Sequence, residues 1–140
     1  MSQHYTTTRR VEFRDTDAAG MAHFSVFFVW MEQAEHELLR HLGLTVHMAD
    51  ENGTLSFPRV ASRCDYQRAV HFEDVLEIEI AIVRLGKKSV TYECTFLHEG
   101  RPVASGQTTT VCCRFAADGT PKSVAIPAEI ADKLAQARVE

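Results

Sequence analysis

Two carboxylates, Asp15 and Asp17, are separated by a single residue in the segment Asp15-Thr16-Asp17-Ala18-Ala19-Gly20. A carboxylate beside a reactive carbonyl can activate water or attack directly, and nearby backbone N–H groups can stabilise the resulting oxyanion. Aspartates also cap turns and helix starts, and that structural use accounts for most such pairs. The pattern D-x-D-x-x-G is therefore weak on its own, and its context has to carry the argument. A second group with chemical potential is basic: Arg84, Lys87 and Lys88 form the densest cationic cluster in an otherwise acidic chain. Such a cluster suits phosphate groups, although lysines in a turn are usually just solvated. Seven histidines are scattered, and His36 and His41, five apart, fall on different faces of one helix, so no metal site is expected. No G-x-S-x-G elbow, phosphate-binding glycine loop, G-x-G-x-x-G or H-E-x-x-H motif occurs.

The elements around the carboxylates follow from periodicity. Tyr5 to Arg14, Thr-rich with Val11 and Phe13 two apart, reads as a strand. Asp15 to His23 breaks that alternation and reads as a loop. From Phe24 to Leu42 the period changes: Phe24, Phe27, Phe28, Met31, Ala34, Leu38 and Leu42 recur at helical spacing. His23 or Ser25 stands near the helix start and Gly43 just past its end. Apolar residues spill around this helix at Phe27 to Trp30, which predicts cover on more than one side. A loop running into such a helix places free N–H groups and the positive end of the helix dipole beside Asp15 and Asp17.

Met48 to Ser56 reads as a loop, followed by four runs of period two. Phe57 to Gln67 sets Val60, Cys64 and Tyr66 against Arg59, Arg63 and Asp65. Val75 to Arg84 sets Leu76, Ile78, Ile80 and Ile82 against Glu77 and Glu79. Ser89 to His98 alternates Val90, Tyr92, Cys94 and Phe96 with polar residues, and Val103 to Phe115 is long and Thr-rich. Short connections make these four an antiparallel meander with one solvated face. Pro127 opens a short C-terminal helix. The expected architecture is α+β: one curved antiparallel sheet wrapped around one long central helix.

The bulk properties agree. With 140 residues, residues 1–140 form a single domain able to bury a core without disulfides. The chain is 45% apolar and 24% charged, with a net charge of −4, which argues against nucleic-acid binding. Its apolar stretches are too short to insert in a membrane. The four cysteines contain no C-x-x-C pair and no signal peptide is read, so reduced thiols in the cytoplasm are expected.

The stretch Val11-Glu12-Phe13-Arg14-Asp15-Thr16-Asp17-Ala18-Ala19-Gly20-Met21-Ala22-His23-Phe24, followed by Val29-Trp30-Met31-Glu32, resembles the 4-hydroxybenzoyl-CoA thioesterase family of hotdog-fold proteins. The Gly86-Lys87-Lys88-Ser89-Val90 turn and the element order extend the resemblance over nearly the whole chain. It implies an acyl-CoA thioesterase in which Asp17 is the catalytic carboxylate, Gly20 allows the close turn, and the backbone N–H of Phe24 polarises the thioester carbonyl. Coenzyme A, part of the substrate and not a cofactor, would lie across the later strands with Lys87, Lys88, Ser89 and Arg84 near its phosphates. Two subunits would join their sheets edge to edge, with tetramers as the expected higher assembly. Relatives often carry Tyr or His at the helix start, where this chain has His23 followed by Phe24; His23 is then the polar candidate. Glu32 and Gln33 are expected to be structural or interfacial.

Three other readings compete. A hotdog dehydratase would pair His with an acid in a differently spaced motif that is not found. A protein that binds acyl-CoA without turnover would not need Asp17. An α+β cone of the ketosteroid-isomerase kind usually begins with helices, whereas this chain begins with a strand. Acyl carrier protein could replace coenzyme A, and the acyl group itself is not legible.

Overall fold

The computed structural model describes residues 4–139. Their order is β1 (Tyr5–Arg10), a 3-10 turn (Phe13–Asp15), α1 (Val26–His41), β2 (His47–Asp50), β3 (Gly53–Ser56), β4 (Arg59–Tyr66), β5 (Val75–Leu85), β6 (Ser89–His98), β7 (Arg101–Val111), β8 (Cys113–Phe115), β9 (Pro121–Ser123) and α2 (Ala128–Ala135). Five strands form the main antiparallel sheet in the order β1-β5-β6-β7-β4, and four short ones form a second sheet, β2-β3-β8-β9. The main sheet curves around α1, as the α+β expectation requires.

Side-chain alternation holds the sheet in register. Leu76, Ile78, Ile80 and Ile82 of β5 are each 0% exposed, and Val90, Tyr92, Cys94 and Phe96 of β6 are buried beside them. Burying one such aliphatic chain contributes about 1.5–3 kcal/mol. A slip of one residue would expose the whole β5 row, so the register is strongly specified. Against this face α1 lays Phe27, Trp30, Met31, Ala34, Leu38 and Leu39. Phe27 meets Phe96 edge-on with ring centroids 5.2 Å apart, and Trp30 touches both rings. The helix ends as its sequence suggests: the N–H groups of Gly43 and Leu44 return to the carbonyls of Arg40 and Leu39 at 3.0 and 2.7 Å.

Three expectations are corrected. The last four runs are not one meander, because β4 pairs with β7 and not with β5. The segment joining β4 to β5, residues 67–74, is too long for a tight hairpin; it crosses the end of the sheet and lets β1 pair with β5. Residues 48–56 are not a loop: β2 and β3 form a hairpin around Glu51-Asn52, continued by β8. The long final strand is interrupted at Cys112, whose N–H turns to the Lys88 carbonyl at 2.7 Å.

The cover expected around α1 is also incomplete within this chain. Phe24 precedes the helix and is 63% exposed, Val29 is 49% exposed, and β4 is largely exposed despite its alternation. β4 is an edge strand with a bulge between Arg59 and Ala61, and Val60 faces outward.

One charged group lies inside. Glu35 of α1 is 2% exposed, and Arg59 Nη2 donates to its Oε1 at 2.7 Å while standing 3.5 Å from Glu32 Oε2. Glu35 Oε2 is buried with no hydrogen-bond partner among the described residues. Burial pushes the Glu35 pKa up to about 7; Arg59 opposes the rise and Glu32 adds to it. A carboxyl whose folded pKa exceeds its unfolded value contributes stability below the unfolded value, and that contribution is lost as pH rises through the folded value. The protein should therefore lose stability, on the order of 3 kcal/mol at most, as pH rises from about 4.5 to 7 on account of Glu35. Urea melts at pH 5 and pH 8 check this: Glu35→Gln should flatten the difference seen in the parent.

Gly106 of β7 sets the distance between helix and sheet. A Cβ there would stand 2.5 Å from Met31 Sδ and 2.8 Å from the Arg63 carbonyl oxygen on β4. The thioether could swing aside but the β4 backbone could not follow cheaply. Gly106→Ala should destabilise the fold by about 1–3 kcal/mol, measured as a lowered thermal midpoint.

Candidate active site

The acidic loop is held by its own backbone. The 3-10 turn delivers Asp15, whose Oδ2 accepts the Glu12 N–H at 2.8 Å and whose carbonyl accepts the His23 N–H at 2.7 Å. Asp15 is thereby occupied in shaping the turn. Asp17 is half-buried and sits at the neck of the loop: its N–H donates to the Met21 carbonyl at 2.8 Å and its carbonyl accepts from Gly20 at 3.0 Å. Its Oδ1 accepts the N–H groups of Ala19 at 2.9 Å and Met21 at 3.2 Å. Among the described residues no hydrogen bond reaches Oδ2. Gly20 has φ +82°, a left-handed conformation that other residues adopt with strain, and this reverses the chain so that Met21 returns to Asp17.

The segment 67–74 is the second wall. Ala22 N–H donates to the Val70 carbonyl at 2.8 Å and Met21 bridges to His71, which ties the acidic loop to the crossover. Between them lies a cleft of about 380 Å³, bounded by Asp17, Phe24, Phe27, Tyr66 and residues 67–70. That volume lies at the lower end of the range for small-molecule sites.

The helix start closes the cleft. Ser25 precedes α1, and its N–H donates to His23 Nδ1 at 3.2 Å while its hydroxyl lies 2.8 Å from the same nitrogen. A backbone N–H can only donate, so Nδ1 is the acceptor in its contact with the Ser25 N–H. The His23 carbonyl accepts from Val26 at 3.1 Å. His23 thus accepts the Ser25 and Val26 N–H groups at the start of α1 and lies outside the residues lining the cleft. The Phe24 N–H donates to nothing among the described residues, and its carbonyl accepts the Tyr66 hydroxyl at 2.8 Å. Its ring stacks on His23 with centroids 4.6 Å apart.

The basic residues lie elsewhere. Lys87 and Lys88 are exposed in the β5–β6 turn, where the Gly86 N–H donates to the Ser89 carbonyl at 2.8 Å. Arg84 is exposed at a bulge just before it. The acidic loop follows β1, whose last residue, Arg10, pairs with Val75. The turn follows Leu85 at the other end of β5, about 33 Å away at ~3.3 Å per residue. Within one chain, Asp17, Gly20 and Phe24 come together, whereas Arg84, Lys87, Lys88 and Ser89 form a separate group at the far end. The Tyr66 hydroxyl and the crossover wall were missing from the sequence expectation. The only hint of the wall was the length of 67–74, too great for a hairpin. Among the described residues no three His, Cys, Asp or Glu side chains are grouped to hold a metal, and no helix is long and apolar enough to cross a membrane.

The chain is similar in sequence and fold to known proteins. The 1,4-dihydroxy-2-naphthoyl-CoA hydrolase of Synechococcus elongatus is 31% identical over 109 residues, covering 77% of this chain and 80% of the relative. A gentisyl-coenzyme A thioesterase of known structure is 30% identical and superposes with a TM-score of 0.79 over 93% of this chain and 99% of that one. The 1,4-dihydroxy-2-naphthoyl-CoA thioesterase of Synechocystis, 21% identical, shares the fold with a TM-score of 0.82 over 94% of this chain and 96% of its own. Residues 11–134 match the family profile described as the thioesterase-like superfamily. With a helix wrapped by an antiparallel sheet and an acidic loop at the helix start, the protein has the hotdog fold and belongs to the thioesterase-like superfamily.

Proposed function

We propose that the protein hydrolyses an acyl-CoA thioester to the free acid and coenzyme A, with Asp17 as nucleophile or general base. The observation that carries this is the pairing of two unengaged groups around one cleft. Asp17 has one oxygen fixed by two N–H bonds and the other open, and the Phe24 N–H is open at the start of α1. A thioester carbonyl held on the Phe24 N–H would build negative charge where that N–H and the helix dipole stabilise it. As a base, Asp17 Oδ2 takes a proton from water as the water oxygen bonds to the carbonyl carbon. As a nucleophile, it bonds to that carbon itself, giving an anhydride that water later opens. In either route the C–S bond breaks and coenzyme A leaves as thiolate to be protonated. Gly20 holds the loop in the shape that both routes need, and His23 fixes the helix entrance.

Two names among the relatives specify dihydroxylated aromatic acyl groups, and aromatic rings of Phe24, Phe27 and Tyr66 line the cleft here. An aromatic acyl-CoA is the substrate class we infer.

A second copy explains the distant lysines. β4 leaves one edge unpaired, and an unpaired edge is a template for another strand. Along the sheet, Tyr66 is level with Ala104 and Phe96, and Arg59 with Thr110 and Val90. An antiparallel two-fold pairing of β4 with its copy would set the Tyr66 end of one chain beside the opposite end of the other. The partner's Lys87 and the partner's Lys88 then lie at the same end of the assembly as Asp17, where they can meet the phosphates of coenzyme A. The same pairing would extend cover over Val29 and Phe28.

Thiol release from benzoyl-CoA, gentisyl-CoA and a long-chain acyl-CoA tests the activity, and Asp17→Asn should lower kcat by roughly 100-fold or more while coenzyme A still binds. Binding of all three without thiol release would instead make this a carrier. Lys87→Ala combined with Lys88→Ala should raise KM for the acyl-CoA several-fold at low salt. The acyl-N-acetylcysteamine analogue, which lacks phosphates, should be unaffected, and the KM effect should shrink as salt is added.

A further inference from the structure

We propose that Tyr66 is a positioning residue, anchoring the Phe24 carbonyl and so fixing the Phe24 backbone dihedrals that aim its N–H at the substrate carbonyl. This rests on the assignment of the Phe24 N–H as oxyanion donor. Tyr66 is the last residue of β4, 42 positions along the chain from Phe24, and the two meet through a single hydrogen bond. Its hydroxyl donates to the Phe24 carbonyl at 2.8 Å, and its ring stands edge-on to Phe27 with centroids 5.2 Å apart.

That bond competes with helix formation. Were α1 one residue longer at its start, the Phe24 carbonyl would accept the Phe28 N–H, four residues on. The Phe28 N–H instead goes to the Ser25 carbonyl at 3.1 Å, in the tighter geometry usual at a helix start. The Phe24 carbonyl therefore has two available donors, the Tyr66 hydroxyl and the Phe28 N–H, and only the first leaves it outside the helical ladder. Without the hydroxyl, the carbonyl can turn toward Phe28. The Phe24 dihedrals absorb that turn, and the preceding peptide, which carries the Phe24 N–H, is re-aimed away from the cleft. The donor is available at every working pH, because burial and the neighbouring Cys64 push the phenol up to about 12.

The ring of Tyr66 lies on the cleft wall beside Phe24 and Asp17. A variant must therefore remove the hydroxyl and keep the ring, and Tyr66→Phe does so while preserving the contact with Phe27. With gentisyl-CoA as substrate, kcat should fall roughly tenfold, the scale of one misplaced oxyanion donor's partial loss, and KM should stay within about twofold. The decisive readout is the infrared band of gentisyl-CoA labelled with ¹³C at the thioester carbonyl, bound to the slow Asp17→Asn protein. The band should lie below its position in water, and adding Tyr66→Phe should move it back up. A lowered band that Tyr66→Phe leaves in place, with kcat unchanged, overturns the role of Tyr66 alone. A band that is not lowered in Asp17→Asn overturns the Phe24 donor and the proposal with it. Should Tyr66→Phe fail to fold, 3,5-difluorotyrosine at position 66 keeps the shape with a far more acidic phenol. A fall in kcat with rising pH that the parent lacks then supports the proposal, and identical profiles overturn it.

Discussion

The contact on which the rest of the molecule depends is the close approach of α1 to the concave face of the sheet at Gly106. Met31 can lie directly over β7 only because that position carries no side chain. The approach brings Phe27 and Trp30 onto Phe96 and seals the row of β5 and β6 side chains from water. It also decides where the helix begins. With the body of α1 seated, its first turn emerges beside the end of the sheet, level with the acidic loop and the crossover from β4. The geometry of the cleft is thus a by-product of packing: the same helix that fills the core directs the positive end of its dipole toward the cleft.

The cleft itself is assembled from three segments distant in sequence, joined mainly through backbone groups. The acidic loop closes on itself through Asp17, Gly20 and Met21, and it is fastened to the crossover by the bond from Ala22 to Val70. The crossover continues from β4, and β4 is one of the two edge strands of the sheet. A disturbance at that edge therefore has a short route to the cleft, through Tyr66 to the Phe24 carbonyl. Placing Glu35 and Arg59 between α1 and the start of β4 gives the same edge a charged anchor at its other end.

Local pattern made the helix and the β5 and β6 strands legible, because period 3.6 and period 2 are imprinted by burial on one face. The alternation of Val60, Cys64 and Tyr66 with Arg59, Arg63 and Asp65 looks just as regular, yet β4 is an edge strand whose partner in this chain, β7, lies some 40 residues on. Alternation reports pleating and says nothing of which strand lies alongside. The acidic loop was visible as a break in pattern. The distinct positions of its two carboxylates, with Asp15 engaged by the Glu12 N–H and Asp17 at the cleft, depend on turn geometry that residue types do not encode. Tyr66 escaped notice for a similar reason: its role needs a partner 42 residues away.

The placement of the cysteines has a consequence for a protein whose product carries a thiol. Cys94, Cys112 and Cys113 are buried and Cys64 is half-buried, and all four are unpaired. Burial raises the pKa of Cys64, Cys94 and Cys112, which leaves little thiolate at neutral pH. Disulfide exchange runs through thiolates with access to their partner. A thiol product of the proposed hydrolysis, or its oxidised dimer, would therefore find few protein sulfurs able to capture it.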